Sequence, residues 1–457
     1  MNPTRREALA TALALTGVLR PAIADQPKLR LSTFIVEITP PLGHPCMGGG
    51  IAPAKEIVDP LFAHGFILQG VGKPMAMVAL DWCEVRNGAY ELFRDKIANA
   101  INTDPVRVML CSLHQHDAPI ADLEAQQLLE KHKAKGAICD IDFLHKTVFR
   151  IADKARESLR LTQPVTHIGT GEAKVEKVAS NRRYVDGNGK VQYNRMSATR
   201  DPKIREGEEG TIDPMLKTIS FWNGDTPILG LTAYATHPMS HYGRGGVSTD
   251  FVGMARKVRQ AELPDVFQVY VSGCSGNVTA GKYNDGDPGN RPILAERLRN
   301  SMVAAWKGTK KTPVKEVTFR SVPLLLKPRS SKGFSEEELT QRLTMDPKPF
   351  GQCLAALGMS WKKRCAAGWP IDIPVLDFGN AVVTLLPAES YVEYQLMAQQ
   401  VRPDTFVLVA GYGECGPGYI PIERAWTEND GNLSDWCWID PGSEKLMSEA
   451  IKTALKR

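Results

Sequence analysis

The sequence predicts an α/β fold, a mixed β-sheet core with surrounding helices, and three observations carry that expectation. Apolar runs of strand length recur, each ending in a polar or glycine-rich tip: "PMAMVALDW" (74–82), "LTAYATHP" (231–238), "VFQVYVSG" (266–273), "AVVTLLPAE" (381–389) and "FVLVAGYG" (406–413). Segments with helical apolar spacing alternate with these runs. The 457 residues are 43% hydrophobic and 23% charged, an ordinary globular composition with enough apolar side chains for a sizeable core.

The first element is of another kind. "TRREALATALALTGVLRPAIADQ" opens with Arg5-Arg6, continues as an alanine and leucine run, and reaches Ala22-Ile23-Ala24. A basic start, a short apolar stretch and an A-x-A signal read as an export peptide over residues 1–24, of the twin-arginine type. The apolar part is too short to span a bilayer. No later segment is long and apolar enough to do so, so a periplasmic or secreted protein is expected. Residues 25–457 show no linker, low-complexity stretch or internal repeat and are expected to form a single domain. Removing the peptide takes away three arginines and one glutamate and lowers the net charge from +5 to +3. With no lysine and arginine run, a nucleic-acid partner has no support.

In chain order, "PMAMVALDW" reads as a buried central strand. Residues 87–102 have helical spacing, with Leu92, Ile97 and Ile101 as apolar positions. Val106, Val108 and Leu110 alternate with Arg107 and Met109, as in a half-buried strand that runs into His114 and His116. If the strand continues, the two histidines share a face. Further helices are expected over 140–160, 250–262, 290–306, 335–345 and 388–401. Nine cysteines (46, 83, 111, 139, 274, 353, 365, 415 and 437) leave at least one unpaired. Cys83 and Cys111 read as buried small hydrophobes, and Cys353 and Cys365 as a pair that could be bridged. No C-x-x-C occurs, which excludes a finger-like zinc site.

Ligands gather outside the carboxyl ends of strands in open α/β sheets. The strand tips here, or the loops just past them, carry His114, His237, Thr279, Glu389 and Tyr419. His237 precedes Pro238, which would end its strand, and His241 follows four residues later. Two histidines and a glutamate from separate strand ends meet the three-ligand pattern of a catalytic zinc site with one open position. The glycine-rich "VSGCSGNVTAGKYNDGD" (271–287) lets backbone approach a ligand closely and offers the Thr279 hydroxyl. It matches neither the P-loop nor the dinucleotide fingerprint.

Over most of its length the chain resembles the N-terminal catalytic domain of the neutral/alkaline (non-lysosomal) ceramidases, zinc-dependent amidases. The motifs are "VEITPPLGHPCMGG", "VDPLFAHGFIL", "SLHQHDAP", "SNRRY", "ATHPMS", "SGNVTAG", "VTLLPAES" and "GYIPIERAW", in the family's order. The resemblance implies Zn2+ held by His114, His237, Glu389 and Tyr419. It places His116 beside the metal as a proton-handling group, and Arg182 and Asn277 against the substrate. It makes Thr279, Tyr419 and His116 the catalytic side chains. The implied reaction is attack of metal-activated water on an amide carbonyl, with a small-molecule, lipid or glycan amide as substrate.

Three departures stand out. Thr279 replaces the family's serine, Asp117-Ala118-Pro119 replaces S-G-P, and no immunoglobulin-like domain follows the last motif. Other readings are an amidohydrolase-type barrel using H-x-H with Asp250, an N-acyl-sugar deacetylase, and a non-catalytic metal-containing binding protein on the same fold.

Overall fold

The same run of elements is built three times: three antiparallel strands, a helix, and a fourth strand that returns parallel to the third. The structure, a computed structural model, describes residues 29–456, so the expected export peptide lies outside the described residues. The first run is Arg30–Glu37, Phe62–Gln69, Met75–Leu80, helix Asn87–Ile101 and Val108–Ser112. The second is His167–Lys174, Met215–Asn223, Thr226–Tyr234, helix Asp250–Glu262 and Phe267–Ser272. The third is Thr318–Leu324, Ile371–Asp377, Ala381–Leu385, helix Val392–Val401 and Phe406–Ala410. A parallel neighbour needs a crossover of a dozen or so residues, which each helix supplies. Gln163–Pro164 and Lys310–Pro313 add a fifth strand to the first and second sheets. No sequence similarity among the three runs announced this repetition.

The central strands are apolar throughout because both faces are buried. Along Met75–Leu80, Ala76, Val78 and Leu80 join one hydrophobic core, while Met75, Met77 and Ala79 join another. The second core also takes Ile219, Leu231, Val269 and Val271 from the second sheet and Val383, Leu408 and Ala410 from the third. The fourth strands of the three sheets meet end to end around it. Ser112 donates its N–H to the Tyr412 carbonyl (3.0 Å), Gly411 donates to Ser272 (2.8 Å), and Ser272 Oγ donates to the Leu113 carbonyl (2.7 Å). The turns leaving these strands therefore open on one common centre.

Several expectations change. The strand before His114 is Val108–Ser112, and Val106 lies in a short 3-10 turn, Pro105–Arg107. The histidines lie past the strand end, so a turn brings them together rather than strand alternation. The helix expected from 388 starts at Val392, because Glu389–Ser390 pairs as a parallel two-residue strand with Tyr419–Ile420. Helices Leu123–Lys131 and Ser443–Leu455 were not anticipated. All nine cysteines are unpaired. Cys353 and Cys365 share the helix Pro349–Ala366, and twelve residues at about 1.5 Å each hold them too far apart to bridge. The barrel alternative fails, since the described strands form separate mixed sheets rather than one closed ring of parallel strands. No helix among the described residues is long and apolar enough to cross a membrane.

Candidate metal centre and active site

Each sheet delivers a side chain to the centre from a turn just past its third or fourth strand. His114 stands two residues beyond Ser112 with φ +70°, and Tyr412 stands two residues beyond Ala410 with φ +57°. His237 stands three residues beyond Tyr234. Glu389 stands four beyond Leu385, after Ala388 turns the chain at φ +49°. Left-handed backbone at non-glycine residues costs energy and persists only where surroundings hold it. Here it swings the chain out of the sheet and into the centre.

One potential ligand atom from each of His114, His237 and Glu389 lies within 4.8 Å of the other two, and all three residues are buried. His237 Nε2 is 3.0 Å from Glu389 Oε2, and His114 Nε2 is 3.3 Å from the same oxygen. The opposite ring nitrogens face carbonyls. His114 Nδ1 is 3.0 Å from the Cys83 carbonyl; His237 Nδ1 is 2.6 Å from that of Ser275 and 3.1 Å from that of Val278. Carbonyls only accept, so both Nδ1 atoms carry protons and both Nε2 lone pairs turn toward the carboxylate. His114 Nε2 is buried without a hydrogen-bond partner. Three acceptors thus converge with nothing to donate between them.

The electrostatics follow. Burial pulls Glu389 upward, but His114 and His237 overrule it and hold the carboxyl well below its usual range. Burial lowers His237 to about 4. His114 is raised in spite of burial, because Glu389 favours its charged form. A proton on one imidazole is one way to satisfy this trio. A cation shared by all three donors is the better one, so the donor set fits a divalent ion. Burial, then the charges of His114 and His237, hold His116 well below its ordinary value, so its ring is neutral.

Tyr419 faces Glu389 as its register partner across the two-residue strand pair. Arg182 Nη1 donates to Tyr419 Oη at 2.6 Å and to Asn432 Oδ1 at 3.3 Å. Arg182 is 1% exposed and, among the described residues, has no carboxylate within 4.0 Å. His114, His116, Arg182, Glu389 and Tyr419 all line one cavity of about 550 Å³. Its walls include Met47, Met196, Met239, Phe350 and Trp436, and Arg342, Asp346, Lys348 and Asp435 add charges to its lining.

Three expected site residues are absent from that lining: His237, fully buried beside Glu389, and Thr279 and Asn277, whose polar atoms are engaged elsewhere. Thr279 pairs with Ser180, and its Oγ1 donates to the Met196 carbonyl (2.8 Å) while accepting from Gly281 N–H (3.1 Å). Its hydroxyl holds backbone together and has no view of the centre. Asn277 Oδ1 accepts from Val392 N–H (2.9 Å) and its Nδ2 donates to Glu393 (2.9 Å), which ties down the start of the helix Val392–Val401. His241 is likewise absent from the lining.

Other residues at the centre escaped notice in the sequence. Tyr412 stacks on His114 with centroids 4.3 Å apart and planes at 18°. Tyr412 Oη and Ser275 Oγ are 2.7 Å apart. Behind His114 lies a fully buried pair: Arg86 Nη1 donates to Glu84 Oε2 at 2.6 Å, and Glu84 Oε1 is 3.8 Å from His114 Nδ1. Arg86 Nη2 also donates to the Gly416 carbonyl (2.8 Å), in the segment leading to Tyr419. "DWCE" sits at a strand tip like the others, and that placement could have marked Cys83 and Glu84.

No family model matches the chain, and no curated protein matches it. Among solved structures it is similar to neutral ceramidase from Pseudomonas aeruginosa, with a TM-score of 0.64 and 15% identity over 94% of this chain and 74% of that one. It is also similar to a ceramidase complexed with C2, with a TM-score of 0.65 and 15% identity over 94% of this chain and 75% of the other. The described chain therefore has the fold of the neutral ceramidases, as the resemblance in its motifs implied.

Proposed function

We propose that this chain is a metal-dependent amidase that hydrolyses an N-acyl bond, with Zn2+ as its ion. The observation that carries the reading is the convergence of His114 Nε2, His237 Nε2 and Glu389 Oε2, each imidazole fixed by a carbonyl at Nδ1. Those three would hold the ion, with Tyr419 as the fourth protein group beside it. A bound divalent ion supplies Lewis-acid chemistry, acidifying water and polarising a carbonyl.

The chain's own groups supply the rest. Tyr419 Oη accepts from Arg182, which leaves its own hydrogen to donate to a substrate carbonyl oxygen. Arg182 beneath it adds positive charge where negative charge would develop. His116 is neutral and its Nδ1 is buried without a partner, so that nitrogen can take a proton and pass it to the leaving amine. The apolar walls exclude water from the acyl group. The cavity volume falls within the ~300–1,000 Å³ that holds drug-sized ligands, and charged residues stand among its lining. Both features favour a compact amide with a polar end, such as an N-acyl sugar, over a two-chain lipid. The same reading takes the protein as exported, with residues 1–24 as a twin-arginine peptide and 25–457 as one catalytic domain.

The test is a panel of amides, from short- and long-chain ceramides to N-acetylated sugars, assayed with zinc-loaded protein. Amine release that a chelator abolishes and zinc restores is expected. No turnover of any amide by protein that holds zinc would overturn the reading.

A further inference from the structure

We propose that Cys83, His114 and His116 form a second metal position, selective for thiophilic ions and sharing His114 with the first. One potential ligand atom from each of the three lies within 4.8 Å of the other two. The His114 and His116 rings stand edge to face with centroids 5.1 Å apart. His116 is nine-tenths buried, and its Nδ1 has no hydrogen-bond partner. All three residues line the cavity, so an ion reaches them by the route that a substrate would take.

The repeated architecture supplies an independent reason. Cys83 stands three residues past Leu80, the end of the first sheet's third strand. His237 stands three residues past Tyr234, the end of the second sheet's third strand. The first repeat thus presents a thiol where the second presents an imidazole. Two imidazoles and a thiolate make a softer set than two imidazoles and a carboxylate. The buried Glu84 carboxylate behind His114 adds negative charge favourable to a cation.

Binding breaks the Cys83 S–H bond, releases that proton to solvent and forms a sulfur–metal bond, with no change of oxidation state. His114 keeps its Nδ1 proton on the Cys83 carbonyl, so it has a single lone pair. An ion in the second position therefore takes His114 away from the first, and thiophilic ions act as inhibitors. The two positions remain separable, because His237 and Glu389 belong to one and Cys83 and His116 to the other.

The experiment is a cadmium titration of the intact protein, followed by the ultraviolet thiolate-to-cadmium charge-transfer band. The band is expected in the parent and in His237→Ala, and is expected to disappear in Cys83→Ser. His116→Ala keeps the thiol and is expected to weaken cadmium binding at least ten-fold, which covers the case where Cys83→Ser does not fold. A band of undiminished intensity in Cys83→Ser would overturn the proposal, as would bound cadmium without a band in the parent. Neither result touches zinc binding by His237 and Glu389, so failure here is distinct from failure of the amidase reading.

Discussion

His114 and Tyr412 occupy the same place in two of the three repeats: each stands two residues past a fourth strand, each has left-handed backbone, and their rings stack at 4.3 Å. The tyrosine also reaches the other histidine. Its hydroxyl pairs with Ser275 Oγ, and the carbonyl of that same serine takes the His237 Nδ1 proton. Tyr412 thus braces both imidazoles. Removing such an outer partner commonly costs a metal site 10–100-fold in affinity. Tyr412→Phe keeps the stack and loses the Ser275 contact, so zinc affinity is expected to fall about ten-fold. Competition with a chromogenic chelator measures it; an unchanged affinity would contradict the bracing role.

Thr279 makes the opposite case. Its hydroxyl is engaged with Met196 and Gly281, away from the cavity. Thr279→Val leaves a buried carbonyl and a buried N–H short of a partner, at a cost of about 1–3 kcal/mol in stability. Turnover by the folded variant is expected to stay within about three-fold of the parent, a difference of under ~1 kcal/mol in barrier. Loss of activity with an unchanged melting temperature would return the hydroxyl to the chemistry.

The Glu84–Arg86 pair lies at zero exposure, where a lone charge is costly. Arg86→Met strands the Glu84 carboxylate and the equally buried Asp122, whose Oδ2 is 3.6 Å from Arg86 Nε, and is expected to cost about 3–5 kcal/mol, read from denaturant unfolding. The double variant Glu84→Gln with Arg86→Met is expected to recover part of that loss, since Asp122 still lacks its charged partner. If the double variant is as unstable as the single one, packing of Arg86 over Trp438, at 4.5 Å, rather than charge carries the effect.

Arg183, next to Arg182, clamps Glu428 through Nε at 2.6 Å and Nη2 at 2.7 Å, and Tyr193 donates to the same carboxylate at 2.6 Å. The Arg183 hydrogen bond is the main cause that lowers Glu428 from 4.5 to about 2. A depressed carboxyl stabilises the fold above its unfolded value and loses that contribution as pH falls through the folded one. Glu428→Gln is therefore expected to cost about 1–2 kcal/mol at pH 7, discounted for partial exposure. The difference from the parent is expected to shrink between pH 4.5 and pH 2. Melting curves of both proteins across that range test the sign.

The sequence made the centre legible where a strand tip ends in a side chain with obvious chemistry. His114, His237 and Glu389 all follow apolar runs, and the motif order around them pointed to the fold. The helix Asn290–Lys307 and the central strands also stand where apolar spacing predicts them. What stayed hidden depends on long-range contact. Nothing local distinguishes Thr279, whose hydroxyl turns toward Met196, from a threonine that faces a substrate. The three-fold repetition escaped because each sheet keeps only a burial pattern, and Cys83, His237 and Ala388, each three residues past a third strand, share position without sharing chemistry. Glu389 read as a helix start because its pairing with Tyr419, thirty residues on, leaves no local trace.

The central claim is that three convergent donors hold one ion, and elemental analysis of the purified protein beside His114→Ala tests it most directly. That substitution removes the donor that both positions share, so zinc has no complete second position to move to. The account predicts about one zinc per chain in the parent, removed by chelator and regained on addition of zinc, and little or none in the variant. A parent that holds no divalent ion after zinc is supplied, or a variant that holds as much as the parent, would contradict it.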